Sequence, residues 1–163
     1  MNPNSQVKQA IQSIPWFQGI KPQYFDRLAE IAQVMYLSGG EELFSEGDKE
    51  KNIYVLLDGR IALEMFIPHR GRARILTVEP VELFGWSSVT PVVRQRTTSA
   101  RAITDSRLIA INTDQLSKLC NEDHDLGYII MRHIANIIAS RLMVTRLQLL
   151  DIFSHPADTI HIE

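Results

Sequence analysis

Along the first 32 residues, Phe17, Phe25, Leu28, Ile31 and Ala32 recur at roughly helical spacing, and Gly19 and Pro22 cut the run into short pieces. From about residue 33 the period changes to two. VMYLSGGEELFSEGD, NIYVLLDGRIALEMFI, ARILTV and RLIAI are short runs rich in β-branched and aromatic residues. The turn chemistry between them is Gly39-Gly40, Gly47-Asp48, Asp58-Gly59 and Arg70-Gly71. Short, evenly spaced strands with glycine turns predict a mainly β protein, a double-stranded β-helix or jelly roll. Beyond Thr113, which is placed to serve as an N-cap, the period returns to 3.6. A short helical piece covers 114–120, and one long helix covers about 126–153, with Pro156 ending the helical potential. The expected organisation is a helical lead-in over 1–32, a jelly roll over 33–113, C-terminal helices over 114–153 and a tail over 154–163.

The long helix carries more apolar surface than one barrel needs. Met131, Ile134, Ile138, Leu142, Thr145 and Leu149 form one stripe, and Ile130, Ile137 and Val144 an adjacent one. A helix packed on a single neighbour buries a stripe of about 100°. Two stripes predict two partners, the barrel on one side and a second subunit on the other. The expectation is a homodimer through the helix at 126–150.

Composition narrows the class. A chain of 163 residues with 45% apolar content is the size of one domain with a proper core. Cys120 is its single cysteine, which excludes an internal disulfide framework or a cysteine-rich metal centre and points to a reducing compartment. The N-terminus lacks the basic-then-apolar order of a secretory signal, and no apolar run approaches the roughly 18 residues of a bilayer span. A cytoplasmic protein without a membrane partner is expected. Net charge is −2, from 17 basic and 19 acidic residues, which leaves no electrostatic footprint for nucleic acid. It leaves room for a small anion held by one or two arginines, and for a protein partner.

The segment that carries chemistry is 83–111, LFGWSSVTPVVRQRTTSARAITDSRLIAI. Gly85 ends an apolar strand, a small-residue turn and short helix follow over about 86–90, and Arg96-Thr97 comes next. Such a layout holds a phosphate: the glycine admits close backbone approach, amides at a helix start face the anion, and a guanidinium with an adjacent hydroxyl closes the cradle. By spacing alone, an arginine followed by Thr-Thr-Ser, here Arg96, Thr97, Thr98 and Ser99, is more often a polar strand edge. Of the five histidines, His69 falls in a turn and His133 on the long helix near the expected seam. No His-x-His followed by Glu occurs in the strands, as a cupin metal centre would require. No Ser/His/Asp or Cys/His set has a local nucleophile signature. Neither a catalytic residue nor a metal ligand is assigned, and Cys120 reads as a packed core thiol.

The stretch Gly40-Glu41, Phe44, Glu46-Gly47-Asp48, Ile53-Tyr54-Val55-Leu56, Gly59 and Ile61 resembles the signature of the cyclic-nucleotide-binding domain of the catabolite activator (Crp/Fnr) superfamily. Ile14-Pro15, Phe17 and Ile20 resemble its lead-in helix. Phe84-Gly85, with Arg96-Thr97 eleven residues on and Ala100 and Ala102 behind, aligns ungapped with its phosphate-binding cassette, here 84–102. The long helix matches the dimerisation helix, and Ala139, Arg141-Leu142 and Val144-Thr145 match the adenine-contacting stretch. The resemblance covers about residues 14–150. It implies a regulatory ligand sensor and not an enzyme. Ligand contacts are implied at Gly85, Trp86, Ser87, Arg96, Thr97, Thr98, Arg141, Thr145 and Arg146. Arg96 and Thr97 would hold a cyclic phosphate, Gly85 and the amides after it the ribose side, Thr145 the purine, and Arg146 would reach a ligand in the other subunit.

Three departures qualify the resemblance. Cyclic-AMP binders of the family place Glu directly after the glycine, to take the ribose 2′-hydroxyl, whereas this chain has Trp86. A lost carboxylate hydrogen bond is worth ~1.5–3 kcal/mol, and an indole competes for the sugar's volume. The segment before the cassette, VEPVELFG, lacks the usual glycine, and Pro91 stands in the cassette turn. Family transcription factors also continue into a helix-turn-helix domain, which is not expected here. The expected function is a small-molecule-sensing regulatory domain with a degenerate cassette, whose ligand is a cyclic nucleotide or another small anion. The alternatives are a non-binding dimerising scaffold or the sensor half of a longer Crp/Fnr-type regulator; a haem or metal sensor and a cupin-type enzyme rank behind them.

Overall fold

In the computed structural model, residues 3–17, 19–90, 92–93 and 95–154 are described. Two helices, α1 (Pro3–Gln12) and α2 (Pro22–Glu30), flank a single 3-10 turn at Pro15–Phe17. Pro22 opens α2, where its missing N–H costs nothing. Eight strands follow among the described residues: β1 (Ala32–Leu37), β2 (Glu42–Phe44), β3 (Asn52–Asp58), β4 (Ile61–Ile67), β5 (Gly71–Val78), β6 (Leu83–Phe84), β7 (Ser99–Ala102) and β8 (Ser106–Asn112). They form two four-stranded antiparallel sheets, ordered β1-β8-β3-β6 and β2-β7-β4-β5. This is the jelly roll with flanking helices that the pattern predicts.

The alternation of side chains explains two cores rather than one. On β3, Tyr54 and Leu56 point between the sheets, as do Leu108 and Ala110 on β8. Ile53, Val55, Ile109 and Ile111 point the other way, into a second core built with α1, α2 and the C-terminal helices. The central strands of the first sheet, β3 and β8, are therefore buried on both faces and read as near-continuous apolar runs, while its edge strand β1 is only partly buried. The second sheet buries one face only. Its outer face carries a lattice in which Glu42 pairs with Arg72 and, at 2.6 Å, with Arg101.

The chain ends in α3 (Thr113–Glu122) and α4 (His124–Ser154). Asn112, and not Thr113, caps α3: its side chain accepts from the Gln115 amide at 3.0 Å. Thr113 is buried and donates its hydroxyl to the Lys51 carbonyl at 3.0 Å. Asp123 joins the two helices. Its carboxylate accepts from the Leu126 amide at 3.1 Å and from the Tyr24 hydroxyl at 2.6 Å, and the Tyr24 bond is the main reason it stays below the usual carboxylate range. α3 and α4 cross closely at Gly127, where a Cβ would lie 2.8 Å from the Cys120 carbonyl oxygen. Cys120 is buried, and burial pushes its thiol above the ordinary value.

α4 has 31 residues, about 46 Å at 1.5 Å per residue. Its two apolar stripes do not divide side by side between barrel and exterior. Ile130 and Ile134 are buried, and Ile137 and Ile138 pack partly on the same helical core, whichever stripe they belong to. Met131, Leu142 and Leu149 are exposed by 42%, 50% and 51%. The division runs partly across the helix, since Met131 is exposed beside buried Ile130 and Ile134, and partly along it, because the helical core covers a face of the first half only. His133 likewise packs within the chain, its ring 5.1 Å from that of Trp16. Residues 155–163, with Pro156, His155 and His161, lie outside the described residues, as does Pro91 in the cassette.

Candidate functional site

The site is built around the turn after β6. Gly85 has φ +76, and a Cβ there would stand 2.8 Å from Arg96 Nη1 and 3.2 Å from the Tyr54 ring. A glycine is thus needed both for the left-handed backbone and for the close approach of the guanidinium. A 3-10 turn follows at Trp86–Val89, and the Ser88 hydroxyl reaches both the Gly85 and Asn52 carbonyl oxygens at 2.9 Å.

Arg96 turns inward from this point. Its side chain is 1% exposed. Nη1 donates to the Gly85 carbonyl at 2.7 Å, while Nη2 donates to Glu50 Oε2 at 2.6 Å and to the Asn52 carbonyl at 2.5 Å. The guanidinium lies 4.2 Å from the centre of the Phe44 ring and 5.6 Å from that of Tyr54. Glu50 also accepts from the Tyr54 hydroxyl and from Asn52 Nδ2. Burial, reinforced by that carboxylate, pushes the Tyr54 phenol far above its ordinary value. The backbone of Arg96 is pinned as well, through its amide to the Asp48 carbonyl and its carbonyl to the Gly47 amide, both at 2.8 Å.

On the other side of the turn, a cavity of about 340 Å³ opens between the second sheet and α4. Gly85, Trp86, Ser87, Thr97, Thr98, Arg141 and Thr145 all line it. Arg96 does not; it borders a separate depression with Lys49, Glu50 and Ser87. Arg146 is exposed and lines neither. Trp86 is half-buried and forms a wall without closing the space, since its indole also packs against the helical core. The Thr145 hydroxyl donates to the Arg141 carbonyl at 2.9 Å. Arg141 is mostly buried, and burial lowers its guanidinium below the ordinary value. Its Nη2 has the Leu83 carbonyl at 3.4 Å and Glu82 at 3.8 Å, and its Nη1 has no partner.

Two groups of site residues escaped the sequence reading. Leu63, Met65 and Ile75 supply apolar walls beside Phe44 and Val144; the signal of these three was the period-two pattern of β4 and β5, which marks a face without saying what the face encloses. Glu50 is the counter-charge of Arg96, 46 residues away in sequence, and no local pattern announces that pairing. Among the described residues no group of three His, Cys, Asp or Glu side chains is placed to hold a metal ion, and no helix is long and apolar enough to cross a membrane.

Residues 34–123 match the family model of the cyclic nucleotide-binding domain. The chain is 27% identical over 137 residues to a CRP-like cAMP-activated global transcriptional regulator of Mycobacterium tuberculosis (strain CDC 1551 / Oshkosh), covering 83% of this chain and 58% of that protein. It thus spans less than two thirds of the length of that relative. The catabolite activator protein of Thermus thermophilus superposes with a TM-score of 0.67 at 25% identity, over 86% of this chain and 63% of that one. A cyclic nucleotide-binding domain from Methylobacillus flagellatus KT superposes with a TM-score of 0.75 at 18% identity, over 91% and 83% of the two chains.

Proposed function

The chain belongs to the cyclic nucleotide-binding domain family, and from that premise we propose that it is a regulatory sensor: a small anionic molecule enters the cavity between barrel and α4, and α4 carries the signal to a second copy. It is a binding module and not an enzyme. One observation carries the reading. The stretch of α4 that walls the cavity with Arg141, Val144, Thr145 and Gln148 also exposes Leu142, Met143 and Leu147, by 50%, 67% and 62%. Large apolar side chains in one run mark an interaction surface, and here a ligand and a partner would press on the same turns. Occupancy then biases how two such helices pack, by as much as the ligand prefers one packing to the other.

The cassette is degenerate on this reading. Trp86 stands where cyclic-AMP binders of the family hold a carboxylate. Arg96 is already committed to Glu50 and two carbonyl oxygens, so a cyclic phosphate would have to draw it from three hydrogen bonds and the Phe44 face. Cyclic AMP is therefore expected to bind weakly, in the high-micromolar range or worse. Nothing in the charge balance favours duplex binding, and the partners we propose are a second copy of the chain and a downstream protein. The activity of the longer relatives enters only as the proposal that this stretch acts as the sensing part of such a regulator, in the cytoplasm. A dimerising scaffold without a ligand is the competing reading, favoured by the internal pairing of Arg96.

Two measurements test the proposal. Light scattering at tens of micromolar should give a dimer; a monomer removes the route for the signal. Mass spectrometry of the denatured protein should release a stoichiometric small molecule, or added ligand should change the dimer constant. A dimer indifferent to every added anion would favour the scaffold.

A further inference from the structure

Resting on that sensor reading, we infer that the cavity takes a compact monocarboxylate with an apolar body, held at Arg141, in place of a cyclic nucleotide held at Arg96. Three observations converge. Arg141 is the one charged side chain among the described residues that line the cavity. It is only 20% exposed, yet its Nη1 is covered and has no hydrogen-bond partner. The contacts of Nη2, at 3.4 and 3.8 Å, are too long for charge-assisted hydrogen bonds. A guanidinium mostly withdrawn from water and so poorly matched gains from a carboxylate, whose two oxygens fit its fork.

The remaining walls choose the body of the ligand. Phe44, Leu63, Met65, Ile75, Trp86 and Val144 offer apolar contact, and the polar side chains beside Arg141 are the neutral Ser87, Thr97, Thr98, Thr145 and Gln148. The Thr145 hydroxyl is given to its own helix. At about 340 Å³ the cavity lies at the small end of ligand sites, which suits a two-ring aromatic or a short chain. One lining cation, with the Glu82 carboxylate no nearer than 3.8 Å, favours a ligand with a single negative charge. Trp86 is central to this chemistry, because a carboxylate at its position would enter the same cavity and compete for the same guanidinium.

The test is calorimetry on the full chain with four probes: 2-naphthoate, octanoate, the neutral 2-naphthamide, and cyclic AMP. The carboxylates should bind saturably, with 2-naphthamide about 10–100-fold weaker than its acid, the range of one charge-assisted bond. Arg141→Gln should erase the gap between acid and amide by weakening the acid far more than the amide, with melting recorded alongside as the control for folding, and Arg141→Lys should restore part of the gap. Trp86→Glu should weaken carboxylate binding by a similar factor. Equal binding of acid and amide, or a gap that survives Arg141→Gln, overturns the assignment. Micromolar cyclic AMP binding that Arg141→Gln leaves intact overturns it too, while the sensor reading stands. Absence of saturable binding by all four probes overturns both.

Discussion

The two halves of α4 are alike in composition and opposite in circumstance. In the first, Leu126, Ile130 and Ile134 are buried and Ile129, Ile137 and Ile138 pack against the helical core, with His133 beside Trp16. In the second, Met143, Leu150, Ile152 and Phe153 are exposed by 67%, 60%, 69% and 73%. Side-chain chemistry does not separate them. What differs is the surrounding chain: the helical core covers one face of the first half and leaves Tyr128 and Met131 exposed, while the second half lines the cavity, reaches the Leu83 carbonyl through Arg141 and the Ile75 carbonyl through Gln148 Nε2 at 3.3 Å, and is otherwise open. The anchored half fixes the helix, the distal half is the surface on which the proposed partner would pack, and the cavity is lined from the start of that distal half.

The largest effect should come from setting charges in the two halves against each other. Ile134→Asp places a carboxylate at a position 4% exposed. It should cost on the order of 4 kcal/mol from the lost side chain and the buried charge together, a large part of a typical domain's stability. Urea denaturation reads it. Leu150→Asp should leave monomer stability within about 0.5 kcal/mol but shift light scattering from dimer to monomer. Equal losses of concentration-independent stability would make the two halves equivalent. Ile138→Asp, the natural choice from the stripes alone, is less informative, since Ile138 rests partly on the helical core and a charge there mixes folding with association.

The boundary between the halves gives the next effect. Trp86→Glu should raise cyclic AMP affinity by about 10–100-fold, the worth of one hydrogen bond from a 2′-hydroxyl to a carboxylate. Adding Arg96→Ala should remove that gain. Because Arg96 holds Gly85, Glu50 and Asn52 together in the barrel, the double variant should also lose about 3 kcal/mol of stability, in line with breaking a buried pair. Denaturation must accompany calorimetry. If Trp86→Glu gains nothing, the distal half of α4 faces a site that no nucleotide uses.

Much of this was legible in the residues. The change of period near 33 and again near 113 delimits the strands, because a strand half-buried in a barrel and a helix on its flank bury side chains on different repeats. Gly85 and the Trp86 substitution could be read as well, since their meaning is local. Three things could not. The direction of Arg96 depends on Glu50, brought close by folding alone. The need for glycine at 127 comes from the Cys120 carbonyl on a neighbouring helix. The fate of the two stripes on α4 depends on how far α1–α3 extend along it, a length no periodicity encodes.

The smallest effect concerns pH, and it belongs to the anchored half alone. His133 is held below the ordinary imidazole value, first by burial and then by Arg132, with a smaller opposing contribution from the backbone at Trp16. The neutral ring is therefore the form the fold prefers, and the unfolded chain takes up the proton first. Stability from this source is complete above the ordinary value near 6.5 and is lost as pH falls from there toward the lower folded value. Glu42 and Asp123, both held low by their partners, act in a separate window, losing their contribution only below the carboxylate range. His133→Gln should give a constant offset from the lost contact with Trp16, plus a difference from wild type that changes between pH 7 and 5 in the variant's favour. The pH-dependent part should stay below about 1 kcal/mol, because solvent still screens the ring. Urea midpoints at four pH values measure it, and a difference that stays flat, or grows in favour of the wild type on acidification, would show that His133 does not couple the anchored half of α4 to protons.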